Sequence, residues 1–79
     1  MTVHVFARLR ELLGAGSLEI ALPDGTTAAN LRTYMAARWP EAATVLAKSL
    51  VAVENEYVAD DYNLAPDATV ALIPPVSGG

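Results

Sequence analysis

Between Thr26-Thr27 and Trp39-Pro40 lies the one stretch of this chain that sustains helical spacing over three turns. It constrains everything else. Thr26 or Thr27 can cap a helix over about Ala28 to Arg38, because a threonine hydroxyl accepts from the unpaired N–H groups of a first turn. Leu31, Tyr34, Met35 and either Arg38 or Trp39 would form its inward stripe. Pro40 restricts Trp39 and ends this helix, then serves as the first residue of a short one through Glu41–Ala47. Apart from one short turn near the start, the remaining apolar runs have strand spacing, so a single long helix must cover whatever sheet they build. The chain has 79 residues, 53% of them hydrophobic, and no cysteine. That is one domain near the lower size limit for an unstapled core, with no disulfide framework, thiolate zinc site or cysteine nucleophile.

The strands can be read in order. Thr2–Ala7 alternates, with Val3, Val5 and Ala7 on one face and His4 and Phe6 on the other. Apolar residues on both faces place it inside a sheet. Leu9, Leu12 and Leu13 then make a short helical turn, with Arg8, Arg10 and Glu11 outward, ended by Gly14 and Gly16. Ser17–Leu22 alternates again, and Pro23-Asp24-Gly25 turns the chain. After the helices, Leu50–Val53 is apolar on both faces. Glu54-Asn55-Glu56 turns into a brief strand, Tyr57-Val58-Ala59. Asp60–Leu64 is a loop pinned by Leu64, in which Asp60 and Asp61 are solvated, and Pro66-Asp67 leads into Val70–Ile73. A hairpin, a helical crossover and a last strand beside the first give an α+β mixed sheet with one main helix packed across it. That is the β-grasp arrangement of ubiquitin. Residues 1–73 form the domain and 74–79 a flexible C-terminal tail.

The tail is Pro74-Pro75-Val76-Ser77-Gly78-Gly79. Two prolines stop the last strand, since they give no N–H to a ladder, and carry the chain on at about 3.1 Å per residue. Gly78 and Gly79 lack Cβ and can enter a channel too narrow for a side chain. The only reactive group at that tip is the Gly79 α-carboxylate. A frayed end is the ordinary alternative, but a strand that runs straight into the prolines favours a purpose.

Charge divides unevenly along the chain. Residues 1–48 hold all five Lys and Arg with four acids, whereas residues 49–79 hold no base and five acids, Glu54, Glu56, Asp60, Asp61 and Asp67. The net charge of -4 argues against nucleic acid and against an anionic membrane surface. A solvated acidic face and a basic partner around the tail both fit. No run approaches the ~20 apolar residues of a membrane span, and a cytoplasmic location is expected.

No metal site is visible, because His4 is the only histidine and has no cysteine to work with. Neither a serine–histidine constellation nor a phosphate or dinucleotide fingerprint occurs. No catalytic machinery of the domain's own remains, and no cofactor is expected to bind. The tail carboxylate is a poor electrophile until adenylation gives it a leaving group. Sulfide, thiol or amine can then displace AMP, and sulfide would leave a C-terminal thiocarboxylate.

Three stretches carry a resemblance: Phe6-Ala7-Arg8-Leu9-Arg10-Glu11-Leu12-Leu13-Gly14, Ala52-Val53-Glu54-Asn55-Glu56-Tyr57-Val58, and Val70–Gly79 with its Pro-Pro-Val-Ser-Gly-Gly ending. Over nearly its whole length the chain resembles the molybdopterin synthase small subunits of the ubiquitin-like sulfur-carrier superfamily. It departs at Glu54-Asn55, where those proteins more often carry asparagine directly after the Ala-Val strand, and at Asp67-Ala68-Thr69, where they carry Asp-Gly-Asp. The resemblance implies that an adenylating enzyme of the ubiquitin-activating kind consumes ATP to activate Gly79. A sulfur donor such as a cysteine desulfurase or rhodanese then makes the thiocarboxylate (1-thioglycine). The large synthase subunit, in a heterotetramer, takes in Pro74, Pro75, Val76, Ser77 and Gly78, and two turnovers place dithiolene sulfurs on precursor Z. Phe6, Glu54 and Glu56 are the expected docking residues. Carriers for thiazole or cysteine synthesis, a ubiquitin-like modifier of lysines and an inert interaction module are the other readings.

Overall fold

β5 (Thr69–Ile73), the last strand, lies at the centre of the sheet in the computed structural model, which describes residues 1–75. Among the described residues five strands share one sheet, in the order β2 (Ser17–Glu19), β1 (Thr2–Val5), β5, β3 (Leu50–Val53), β4 (Glu56–Tyr57). β1 and β5 run parallel, and every other neighbouring pair is antiparallel. A parallel pair needs a crossover rather than a hairpin, and the helical middle of the chain provides it. The mixed β-grasp sheet expected from the sequence is the one observed.

Register explains the core. Val70 stands beside Val3 and Val53, and Leu72 beside Val5 and Val51. These two rows face the helices, because successive strand side chains alternate between faces. They pack with Leu9 of α1 (Ala7–Leu13), Leu31 and Met35 of α2 (Ala28–Arg38), and Leu46 of α3 (Ala43–Lys48). Each fully buried Val, Leu or Met of this set contributes about 1.5–3 kcal/mol.

α2 begins and ends where the sequence indicates. The Thr27 hydroxyl accepts from the Asn30 N–H at 3.1 Å, while the Thr27 N–H donates to Asn30 Oδ1. This is a capping box with Asn in place of the usual Glu or Gln. The next loop completes the cap, because the carbonyls of Tyr62 and Asp60 accept from the N–H groups of Ala28 and Ala29. Gly14 closes α1 at φ 76°, with its N–H on the Arg10 carbonyl, a left-handed position that favours glycine.

Several elements differ in extent or in facing. β1 stops at Val5 because Ala7 already turns into α1 at φ 50°. β2 keeps only Ser17–Glu19, the length that pairs with β1, although Ile20 and Leu22 still turn inward. β4 is Glu56–Tyr57, set by a two-residue turn at Glu54-Asn55 rather than a three-residue one. The short helix after Pro40 is a 3₁₀ turn (Pro40–Ala42) followed by α3.

Tyr34 is not on the inward stripe of α2. It is 37% exposed, and the buried line runs through Ala28, Leu31 and Met35, flanked by half-buried Arg32, Ala36 and Trp39. The helix is rotated that way because α3 packs on the flank of Arg32 and Ala36, which leaves Tyr34 partly exposed. Trp39, rather than Arg38, reaches the core, and Arg38 lies over its ring at 5.3 Å, within cation–π range. Asp60 is solvated as expected, with 73% of its side chain exposed. It pairs with Arg32, whose guanidinium also donates to the Ser49 carbonyl. Among the described residues, no helix is long and apolar enough to cross a membrane.

Candidate functional site

The helices cover one face of the sheet and leave the other open. On the open face, register forms a row of His4, Ala71, Ala52 and Tyr57 across four strands. The next row pairs Ile73 with Leu50, and Phe6 follows Val5, which is level with Leu72. Phe6, Ile73 and Leu50 therefore stand at the end of the sheet where β5 gives way to Pro74. Phe6 is 49%, Leu50 53% and Tyr57 65% exposed. So much exposed apolar side chain on one face makes it a candidate interaction surface.

Local geometry puts Phe6 there. It caps α1 in an extended conformation, φ −131° and ψ 161°, and its carbonyl accepts from the Leu9 N–H at 3.0 Å. Ala7 then adopts φ 50°, a left-handed angle that costs an alanine about 1 kcal/mol or more. The reversal lets α1 drop onto the core through Leu9 while Phe6 remains on the outer side.

Behind the row of Phe6 lies a cleft of about 200 Å³, lined by His4, Phe6, Ala52, Glu54, Asn55, Thr69 and Ala71 among others. Its floor is the alanine pair Ala52 and Ala71, which face each other in register. Glu54 forms part of its rim. Glu54 at φ 50° and Asn55 at φ 69° make the β3–β4 turn, the doubly left-handed type that suits a two-residue hairpin.

Of the three expected docking residues, Phe6 and Glu54 come together at this cleft. Glu56 does not. It is in register with Val53 and so sits on the helix-facing side of the edge strand, exposed. Leu50, Tyr57 and Ile73 carry no local signal of exposure, because an apolar strand reads as core. One signal could have found them: a single long helix covers one face of a sheet, so apolar residues on the second face have nothing from this chain to meet.

At the root of the tail, Pro74 is half-buried and Pro75 exposed. Both line a second cleft, of about 220 Å³, with Arg8, Thr44, Val45 and Lys48. Pro74 continues the alternation of β5 toward the helix side, so the chain leaves the sheet between the open apolar face and α3. Val76, Ser77, Gly78 and Gly79, and with them the expected flexible arm, lie outside the described residues. Among the described residues no cluster of three or more His, Cys, Asp or Glu is placed to hold a metal.

The comparisons with known proteins agree with this geometry. A family model described as the ThiS family matches residues 3–79. The chain is 37% identical to the molybdopterin synthase sulfur carrier subunit of Dictyostelium discoideum, over 98% of this chain and 93% of that protein. It is 41% identical to the subunit of the same name from Escherichia coli (strain K12), over 98% and 96%. Among solved structures, a putative molybdopterin converting factor, subunit 1, from Pyrococcus furiosus superposes with a TM-score of 0.83 at 30% identity, covering 95% of each chain. Match, fold and open face together make this chain a β-grasp member of the ThiS family.

Proposed function

We propose that the protein is the sulfur-carrying small subunit of a molybdopterin synthase, acting in molybdenum cofactor biosynthesis. The observation that carries the reading is near full-length likeness to relatives named as that subunit. The open apolar row of Phe6, Ile73 and Leu50 supports it from the structure, because it sits at the root of the tail. A large subunit docked there stands within reach of Gly79, since six residues from Pro74 span at most roughly 20 Å.

The chemistry belongs to the tail and is driven by partners. The Gly79 carboxylate oxygen attacks the α-phosphorus of ATP in the active site of an adenylating enzyme, and pyrophosphate leaves. A sulfide equivalent from a sulfur donor then adds to the acyl carbon and AMP departs, so the C–O bond to phosphate is exchanged for C–S. The thiocarboxylate is a soft nucleophile. In the large subunit its sulfur attacks an oxygen-bearing carbon of precursor Z, and the C–O bond there breaks with the oxygen leaving as water or on phosphate. Water then hydrolyses the resulting thioester to return the original carboxylate. Two charged copies supply the two dithiolene sulfurs. Pro74 and Pro75 keep the arm extended, Val76 offers one apolar foothold, and Ser77-Gly78-Gly79 pass a narrow channel.

The test is reconstitution with the cognate large subunit and precursor Z. Wild-type protein charged at Gly79 should yield molybdopterin. Deleting Gly78-Gly79, or adding one residue after Gly79, should abolish product while leaving thermal stability unchanged, because a displacement of about 3.3–3.6 Å is poorly tolerated in an active site. Full activity of the extended variant, or an amide adduct to another protein's lysine in place of sulfur transfer, would overturn the proposal.

A further inference from the structure

We infer that the cleft on the open face receives a single cationic side chain of the protein partner, an arginine by shape. Its stem lies over Ala52 and Ala71, and its head meets Glu54. The inference rests on the sulfur-carrier reading for the existence of a docking subunit and goes beyond it in naming what that subunit must present.

The cleft exists because the two central strands carry their smallest side chains where they face each other, Ala52 on β3 and Ala71 on β5. Larger residues stand around them: His4 and Tyr57 in the same row, Phe6 in the row toward the tail. The space is about 200 Å³, room for one long side chain and not for a segment of backbone. Its lining is graded. The alanine floor and the Phe6 ring are apolar, whereas Glu54, Asn55 and Thr69 put oxygen atoms at the other end.

Three kinds of occupant can be weighed. An aliphatic side chain would fill the floor and strip water from the Glu54 carboxylate without giving it a partner, which is costly. An acidic one would meet like charge. A cation on an apolar stem satisfies both ends, and a guanidinium does so best, since its planar fork can take the carboxylate and the neighbouring amide oxygen together.

Charge points the same way. Among the described residues the ion pairs are Arg8–Glu11 and Arg32–Asp60, so no cation of these residues holds Glu54. Residues 49–79 contain no Lys or Arg at all. The turn adds an independent sign. At φ 50° Glu54 occupies a left-handed position that asparagine, aspartate or glycine would fill with less strain. A glutamate placed at a backbone cost points to a use for its side chain.

The experiment is a double-mutant cycle on the affinity for the large subunit, at one fixed salt concentration. Glu54→Gln removes the charge and keeps the shape. Ala71→Leu fills the floor from an open, half-exposed position, and its melting temperature serves as the check on folding. Each should weaken binding roughly tenfold. The double variant should bind no more weakly than Ala71→Leu alone, because a filled floor has already displaced the cation. Glu54→Asn should raise the melting temperature while weakening binding as Glu54→Gln does. Additive losses, or an Ala71→Leu variant that binds like wild type, would overturn the inference. Charging of Gly79 and binding of the large subunit by wild-type protein are read alongside. If both are intact, additive losses defeat only the cationic occupant; if wild type neither charges nor binds, the sulfur-carrier reading fails and takes this inference with it.

Discussion

The two faces of this sheet are made from the same strands, often from adjacent residues, yet they serve different ends. Val3, Val5, Val51, Val70 and Leu72 face the helices and are almost wholly buried. His4, Phe6, Leu50, Tyr57, Ala71 and Ile73 face away and meet no helix. The buried face sets whether the domain folds. The open face, on the proposed function, sets what it docks to. A period-2 pattern allows this division, since a one-residue step moves a side chain from one role to the other.

Adjacent positions on β5 provide the largest test of the division. Leu72→Ala should cost about 2–5 kcal/mol through lost burial and the cavity left behind, a large share of the stability of so small a domain. Denaturant unfolding followed by circular dichroism should show a chain that is largely unfolded or close to it. Ile73→Ala, one residue on, should cost less than about 1 kcal/mol, the scale of a surface change, and should weaken docking instead. Equal destabilisation by both would erase the distinction.

Phe6 sharpens the comparison from the binding side. Phe6→Ala should lower affinity for the large subunit by about 10–100-fold, the range of an aromatic anchor at the centre of an interface, with the melting temperature nearly unchanged. The reverse variant is Thr27→Ala, which removes the α2 cap. It should cost about 1 kcal/mol and lower the melting temperature by roughly 4–8 °C. Its docking, measured below that temperature, should match wild type.

Charge on the rim should give the smallest effect. Glu54→Lys with Glu56→Lys should slow association several-fold at low salt, and the difference should close as salt rises. Because Glu54 borders the cleft and Glu56 faces the helix side, Glu54→Lys alone should account for most of the change. An on-rate that ignores both substitutions at every salt concentration would leave the acidic half as a solvated surface and nothing more.

The fold was legible because its signals are local. Thr27, Pro40, Gly14 and the Pro23-Asp24-Gly25 turn mark boundaries by their own backbone chemistry, and α2 falls at Ala28–Arg38 as the spacing predicts. Facing was less legible, because it depends on what packs where. Nothing in the helix sequence tells that α3 lies beside Arg32 and Ala36, so the spacing alone points Tyr34 inward. Asp60 is solvated as its loop suggests, but its pairing with Arg32, 28 residues away, has no local signal. The candidate face was legible at Phe6 and Glu54, which line its cleft, and illegible at Leu50, Tyr57 and Ile73, whose exposure follows from strand order. Glu56 shows the limit most clearly. It lies two residues from Glu54, yet the two-residue turn sends it to the other face.

The claim on which the account rests is that sulfur is carried at Gly79 while the sheet only presents it. Intact-protein mass spectrometry after incubation with ATP, the cognate adenylating enzyme and a sulfur source tests this most directly. Wild-type protein should gain the mass of one oxygen replaced by sulfur, located in the C-terminal peptide, and a variant with one residue added after Gly79 should not. An unchanged wild-type mass in the presence of a competent enzyme, or equal charging of the extended variant, would contradict it.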